Sequence, residues 1–257
     1  MRIRVLASGS KGNCTYIEDG NGALLIDCGL SVKEAVSRIH AAGGDPSLVR
    51  AILVTHEHAD HIHGAAAMAR RLGVPVYGTG GTLLSLVSAA VGRRPVRLVR
   101  IAPGEAPAID GFTVEAFATS HDAREPCGFT LRSGDLRFTS CTDSGIISDP
   151  VLGLLRDSDA ILLESNHCPE MLRTGPYPEV LKRRIRSRHG HLSNPAAADC
   201  LRALADDAAT VILGHLSEIN NTPEKALASA KEGLGLYCGG VRVVVGRQHE
   251  PSEPVDL

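Results

Sequence analysis

Short apolar runs bounded by Gly, Ser, Asp or Pro recur along the chain, and between them apolar residues fall at helical spacing. Strands are expected over residues 3–7, 14–18, 24–29, 51–54, 74–77 and 96–101 of the first half. Further strands are expected over 113–119, 128–132, 136–140, 160–164, 210–213 and 241–245. Helical periodicity predicts a helix over 32–42, closed by Gly43 and Gly44. It predicts others over 62–72, 80–91, 178–187 and 195–205, and one over 223–233 with Pro at its start and Gly at its end. Strands in both halves with interspersed helices predict an α/β fold of two sheets covered by helices. No repeat, linker or low-complexity stretch divides residues 1–257, and the length suits a single domain with a sizeable core.

The pattern changes character at one place. The apolar run Ala51-Ile52-Leu53-Val54 is followed at once by Thr55-His56-Glu57-His58-Ala59-Asp60-His61. Four imidazole or carboxylate ligands within six residues suit zinc, manganese or iron. His56 and His58, two apart in an extended loop, can point one way. Asp60 and His61 stand where the helix begins and can point elsewhere. That division suits two neighbouring metals better than one structural zinc with closed coordination.

Four later sites place a His or Asp just past an expected strand: His121, Asp143, His167 and His215. Strand ends are where α/β sheets build sites. Asp27 ends the apolar run 24–26, and as a carboxylate beside a buried strand it needs partners; bracing the His56–His61 loop is one role, a surface turn the other. The Gly/Ser turn ending in Asn13 reads as a cradle for a phosphate or as a plain hairpin connection. His167 lines the site or caps a loop. His191 lies in a Gly-His-Leu-Ser context like that of His215 and is either a ligand or an acid and phosphate contact. His63 reads as a surface residue or as one that supports the ligands from behind, and His40, His189 and His249 read as ordinary surface residues.

Composition narrows the partners. With 27 basic and 29 acidic side chains and a formal charge of -2, any attraction to nucleic acid must come from a local patch. The densest basic run, Lys182, Arg183, Arg184, Arg186 and Arg188, immediately precedes His191 and reads as a track for a phosphate backbone or as a solvated helix face. Arg93, Arg94, Arg97 and Arg100 form a looser group. No apolar run approaches a membrane span of roughly 20 residues, and no extended signal-peptide core follows Met1. Seven cysteines without a Cys-x-x-Cys pair read as free thiols of a reducing, cytoplasmic compartment. No Gly-x-Ser-x-Gly elbow offers a competing nucleophile.

The order Asp27, His56-x-His58-x-Asp60-His61, His121, Asp143, His215 resembles the motifs of the metallo-β-lactamase fold superfamily. The stretches 8–13, 120–123, 190–194 and 214–221 resemble its YycJ/WalJ branch of bacterial DNA exonucleases. The resemblance covers nearly the whole chain. It implies a four-layer αββα sandwich, two mixed sheets flanked by helices, and two divalent metal ions (zinc or manganese, with iron as a further option). It implies that His56, His58 and His121 hold one metal, that Asp60, His61 and His215 hold the other, and that Asp143 bridges them. It further implies a 5′-to-3′ exonuclease acting on DNA through a metal-activated hydroxide, with Asp60, Asp143 and His191 catalytic. By comparison with tRNA-processing phosphodiesterases, His191 contacts the scissile phosphate or protonates the leaving oxygen. The alternative on the same site is a small-molecule hydrolase of cyclic phosphates, thioesters or lactones, because a fold does not fix its chemistry.

Overall fold

A computed structural model of the chain describes residues 1–89, 95–204 and 210–257. Arg93, Arg94 and the C-terminal ends expected for the helices over 80–91 and 195–205 lie outside the described residues. The strands fall into two mixed sheets. The residues group into two compact units, one of Met1–Ala118, Ala123–Leu136 and Arg247–Leu257, the other of Thr119–Asp122 and Arg137–Gly246.

In the first unit, β1 (Arg2–Ala7), β2 (Cys14–Glu18) and β3 (Ala23–Ile26) pair antiparallel. The sheet continues in parallel through β4 (Val49–Val54), β5 (Val76–Gly78) and β6 (Leu98–Arg100), and the C-terminal strand Val255–Asp256 pairs with β1 at the other edge. Every residue of β3 and all of β4 except Arg50 are buried, as expected where parallel strands are covered on both faces. Helix α1 (Val32–Ala41) starts at Ser31, whose Oγ accepts the Glu34 N–H at 3.2 Å. It buries Ala35 and Ile39 in a core shared with Tyr16, Leu25, Ile52 and Met68.

The continuous helix expected over 62–72 is two helices, α2 (Ala59–Ile62) and α3 (Ala65–Leu72). The neighbouring loop takes the hydrogen bonds that would have joined them. Asp60 O accepts from Asn13 N–H at 2.7 Å, His61 O from Cys28 N–H at 2.9 Å, and the Gly64 N–H turns away to Cys28 O at 2.8 Å. With these groups engaged outside the helix, the i to i−4 ladder breaks at His63-Gly64. Helix α4 (Gly80–Ala89) follows β5. A meander of β7 (Ala108–Ile109), β8 (Phe112–Ala118) and β9 (Cys127–Ser133) completes this unit. Its first turn is Asp110-Gly111, both left-handed (φ 47° and 92°), as a two-residue hairpin requires.

The second unit is built on parallel strands: β10 (Leu136–Cys141, belonging to it from Arg137), β11 (Ala160–Glu164), β12 (Thr210–Gly214) and β13 (Arg242–Val245). The connections carry α5 (Asp149–Arg156), α6 (Pro169–Thr174), α7 (Glu179–Ile185), α8 (Asn194–Leu204) and α9 (Pro223–Leu234). Helices α5 and α6 were not expected from the pattern. They span only eight and six residues and bury two and one side chains, too few to set a period. Helix α7 is shorter than the expected 178–187, ending at Ile185.

Strand ends carry three of the expected site residues. Asp27 follows β3 directly, Asp143 stands two residues past β10, and His215 follows β12 directly; all three are left-handed, with φ of 58°, 55° and 53°. Non-glycine residues adopt that conformation at a cost that surrounding structure must offset, and such residues cluster at functional sites. Here the reversal swings each side chain off the strand axis just where the sheet ends.

Candidate metal centre

In the first unit, Asn13, Asp27 and the 56–61 segment form one polar cluster. His56 and His61 are fully buried, and Asp27 is 2 % exposed. Asp27 Oδ2 lies 2.8 Å from His61 Nδ1, while its carboxylate also accepts the Thr55 N–H at 2.9 Å and the Thr55 hydroxyl at 3.0 Å. A buried carboxylate is tolerable with this many donors. His61 therefore donates from Nδ1, and Nε2 carries its lone pair. Asn13 Nδ2 reaches His61 Nε2 at 3.0 Å and Asp60 Oδ2 at 3.2 Å, while Asn13 Oδ1 accepts the Gly9 N–H at 2.9 Å. The Gly/Ser turn thus ends in a side chain set between two expected ligands. Thr55 Oγ1 holds His56 Nδ1 at 3.0 Å, and His56 Nε2 lies 3.0 Å from His58 Nδ1.

This cluster depends on close backbone approach. The loop after β3 lies so near α2 that a Cβ on Gly29 would fall onto the Asp60 carbonyl oxygen. Only glycine fits, and the contact registers Asp27 against His61.

In the second unit, His121, Asp143, Glu164, His191 and His215 converge. One ligand atom from each of Asp143, Glu164, His191 and His215 lies within 4.8 Å of the others. His121 Nε2 is 3.8 Å from Asp143 Oδ1, and His215 Nε2 is 3.5 Å from the same oxygen. The outward nitrogens are set from behind: His121 Nδ1 donates to Gly190 O at 3.0 Å and His215 Nδ1 to Glu164 Oε1 at 3.2 Å. Asn166 Nδ2 also donates to the His215 carbonyl at 2.8 Å. His191 Nδ1 lies 2.7 Å from Glu164 Oε1.

Charge follows this geometry. Burial disfavours the His121 cation and the charge of Asp143 offsets this only in part, so its pKa is lowered. Burial alone would raise the Glu164 carboxyl. The charge of His191 and hydrogen bonds from His191 and His215 outweigh it and hold Glu164 below the usual carboxylate range. For His191, burial is overcome by the charge and hydrogen bond of Glu164 and by the charge of Asp143, and its pKa is raised. One imidazole is biased neutral and one toward the cation.

The donor set fits divalent metals. His56, His61, His121 and His215 each have Nδ1 held by an oxygen, leaving Nε2 as the ligating nitrogen, which is the usual way a second partner orients a metal-binding imidazole. Two imidazole nitrogens 3.0 Å apart, as in His56 and His58, match the bite of one ion with metal–nitrogen bonds of about 2.0–2.1 Å.

Residues 23–216 match the model of the beta-lactamase superfamily domain, and that span contains every expected ligand. The chain belongs to this superfamily. It is 37% identical over 245 residues to the exodeoxyribonuclease WalJ of Streptococcus pneumoniae serotype 2, covering 91% of each chain. It is 37% identical over 236 residues to the exodeoxyribonuclease YycJ of Bacillus anthracis, covering 91% of this chain and 89% of that one. Its fold, two mixed sheets flanked by helices, is that of solved proteins of the metallo-β-lactamase fold. It is similar to the YhfI protein of Bacillus subtilis (TM-score 0.72, 16% identity, 97% and 98% of the chains). It is equally similar to Zn(2+)-bound PqqB of Methylobacterium extorquens (TM-score 0.73, 18% identity, all of both chains).

Within this superfamily chain, the structure sorts the remaining expectations. Asp27 is buried and engaged, so its turn reading falls away. His63, His40, His189 and His249 are exposed, in keeping with surface roles. His167 is buried beside Ser193, and its Nδ1 has no hydrogen-bond partner among the described residues. Lys182 does not belong to the expected phosphate track. It is 7 % exposed, and its Nζ donates to Arg173 O at 2.8 Å and pairs with Glu179. The helix turns Lys182 and Ile185 inward together, so the position follows the helical period instead of its charge.

Three residues that hold the loops around the expected ligands escaped the pattern. Glu164 closes an apolar strand, and a lone carboxylate ending a buried run was its only signal. Asn166 holds the His215 loop. Glu57, between His56 and His58, accepts the Arg124 N–H on its Oε1 at 2.9 Å. All seven cysteines are free thiols, five of them buried. Among the described residues no helix is long and apolar enough to cross a membrane.

Proposed function

We propose that this chain is a metal-dependent phosphodiesterase that degrades DNA from 5′ ends. The observation that carries this reading is 37% identity across 91% of both chains with an exodeoxyribonuclease, in a chain where every ligand position of the motif is a His or Asp. By the family resemblance, His56, His58 and His121 would hold one metal, Asp60, His61 and His215 a second, and Asp143 would bridge them. Zinc and manganese suit this imidazole-rich set, as does iron. Divalent ions so held lower the pKa of a coordinated water and offset charge on phosphoryl oxygens.

The protein's own groups do the rest. Asp27 and Glu164 fix imidazole tautomers through their hydrogen bonds. Asp60 accepts the proton of the attacking water in this reading, which its 22 % side-chain exposure and its hydrogen bond from Asn13 support. His191, 17 % exposed where His121 and His215 are 1 % and 3 %, has the reach to protonate a leaving oxygen from Nε2. Glu164, bonded to Nδ1, holds that proton in supply.

The test is purified protein with Mn²⁺ and end-labelled duplex DNA. Mononucleotide release from the 5′ end is expected. Folded, metal-loaded protein that hydrolyses bis(p-nitrophenyl) phosphate but leaves DNA intact would instead favour a small-molecule phosphodiesterase.

A further inference from the structure

The turn between α7 and His191 lies against both loops that present His121 and Asp143. Ser120 Oγ donates to the Arg188 carbonyl at 2.8 Å, and His121 Nδ1 to the Gly190 carbonyl at 3.0 Å. The Gly145 N–H, two residues past Asp143, donates to Ser120 O at 2.9 Å. Gly145 approaches so closely that a Cβ would overlap the carbonyl oxygens of Ser187 and Arg188. The backbone of Arg188 is therefore held by Ser120 and packed against Gly145, which lie one and two residues from the expected ligands His121 and Asp143.

Its side chain is treated differently from its neighbours. Lys182 is buried on Arg173 O, Arg184 pairs with Asp122, and Arg186 bonds to Lys182 O and faces Glu179. Arg188 is exposed, and among the described residues its guanidinium has no hydrogen bond or ion pair. Arg183 shares that state but sits on α7, away from these loop bonds. The other side of Gly145 lines an apolar cavity of about 340 Å³ with Ile146, Ile147 and Leu152, which does not suit a phosphate. An uncommitted cation on a fixed backbone, beside the ligand loops, is what a phosphate contact needs. The planar guanidinium can grip a phosphate through two N–H groups, and the fixed backbone sets the register of the strand.

We propose that Arg188 clamps the DNA phosphate adjoining the scissile one, as a positioning residue that sets which phosphodiester enters the metal centre. This rests on the nuclease reading above.

The test compares the wild type with Arg188→Ala, Arg188→Lys and Arg183→Ala, all metal-loaded. Affinity for a phosphorothioate duplex that resists cleavage is measured by anisotropy from 50 to 200 mM salt, and KM and kcat on a natural duplex. For Arg188→Ala we expect KM to rise roughly tenfold while kcat changes by less than threefold, and the salt slope of log K to shrink by about one. Arg188→Lys should restore the slope while recovering only part of the KM, since a point charge lacks the fork. Arg183→Ala should change KM by less than threefold. An unchanged slope and KM in Arg188→Ala, in protein that degrades DNA, overturns the clamp and leaves the nuclease reading standing. Wild-type protein that cleaves bis(p-nitrophenyl) phosphate yet neither binds nor degrades DNA overturns both.

Discussion

Glu164 Oε1 lies 2.7 Å from His191 Nδ1, and the same oxygen is 3.2 Å from His215 Nδ1. One buried carboxylate thus serves two imidazoles with opposite tasks. It orients His215 as an expected ligand and stabilises the protonated form of His191 as an expected acid. The raised pKa of His191 keeps its acid form present to higher pH, and that form is lost as pH rises through the raised value. Glu164→Gln keeps the shape and removes the charge. The basic limb of the kcat profile should move to lower pH, and turnover at pH 8 should fall by about 10². A profile that keeps its basic limb would remove Glu164 from proton delivery.

Asp27 braces the first unit's expected ligands from behind. Asp27→Asn should lower metal affinity about 10- to 100-fold, because the amide orients His61 without supplying charge. Competition with a chromogenic chelator measures this without recourse to activity. Asp27→Ala should in addition cost about 1–3 kcal/mol of stability, since the buried Thr55 N–H would lose its acceptor. Wild-type metal affinity in Asp27→Asn would mean that the Thr55 and His61 contacts are structural only.

Gly29 and Gly153 offer a paired comparison. At Gly29 a methyl group would collide with backbone, so Gly29→Ala should destabilise by more than about 3 kcal/mol in urea unfolding. Gly153 lies within α5 with nothing within 4 Å of an added Cβ. There Ala should stabilise by up to about 1 kcal/mol through helix propensity. Equal effects at the two sites would contradict the close contact of Gly29 with α2.

His167 predicts a pH dependence of stability. Burial, the largest influence, lowers its pKa from 6.5 to about 4. Between those values the unfolded chain binds more protons than the folded one, so this residue's contribution falls as pH drops from about 6.5 toward 4. The loss should reach about 2 kcal/mol at pH 5. His167→Leu should flatten that part of the stability profile. Parallel profiles for variant and wild type would show that the ring is accessible enough to titrate normally.

The sequence by itself determined the ligand motif, the strands that carry it and the α/β class. These depend on local patterns: an apolar run sets a strand, and ligand chemistry limits the residue types that can follow it. The short helices α5 and α6, the break at His63-Gly64 and the inward turn of Lys182 were not legible, because each answers to neighbours distant in the chain. Tertiary structure alone decided the contacts of Glu164 and Asn13 and the exposure of Arg188. A carboxylate ending an apolar strand is unremarkable until two imidazoles from later loops meet it. Asn13 belongs to a plain turn until α2 brings Asp60 and His61 within 3.2 Å of its amide. Arg188 is one of five basic residues in a row of seven until the ion pairs and the burial of its neighbours single it out. Pairing in space, which sequence spacing does not encode, makes that selection.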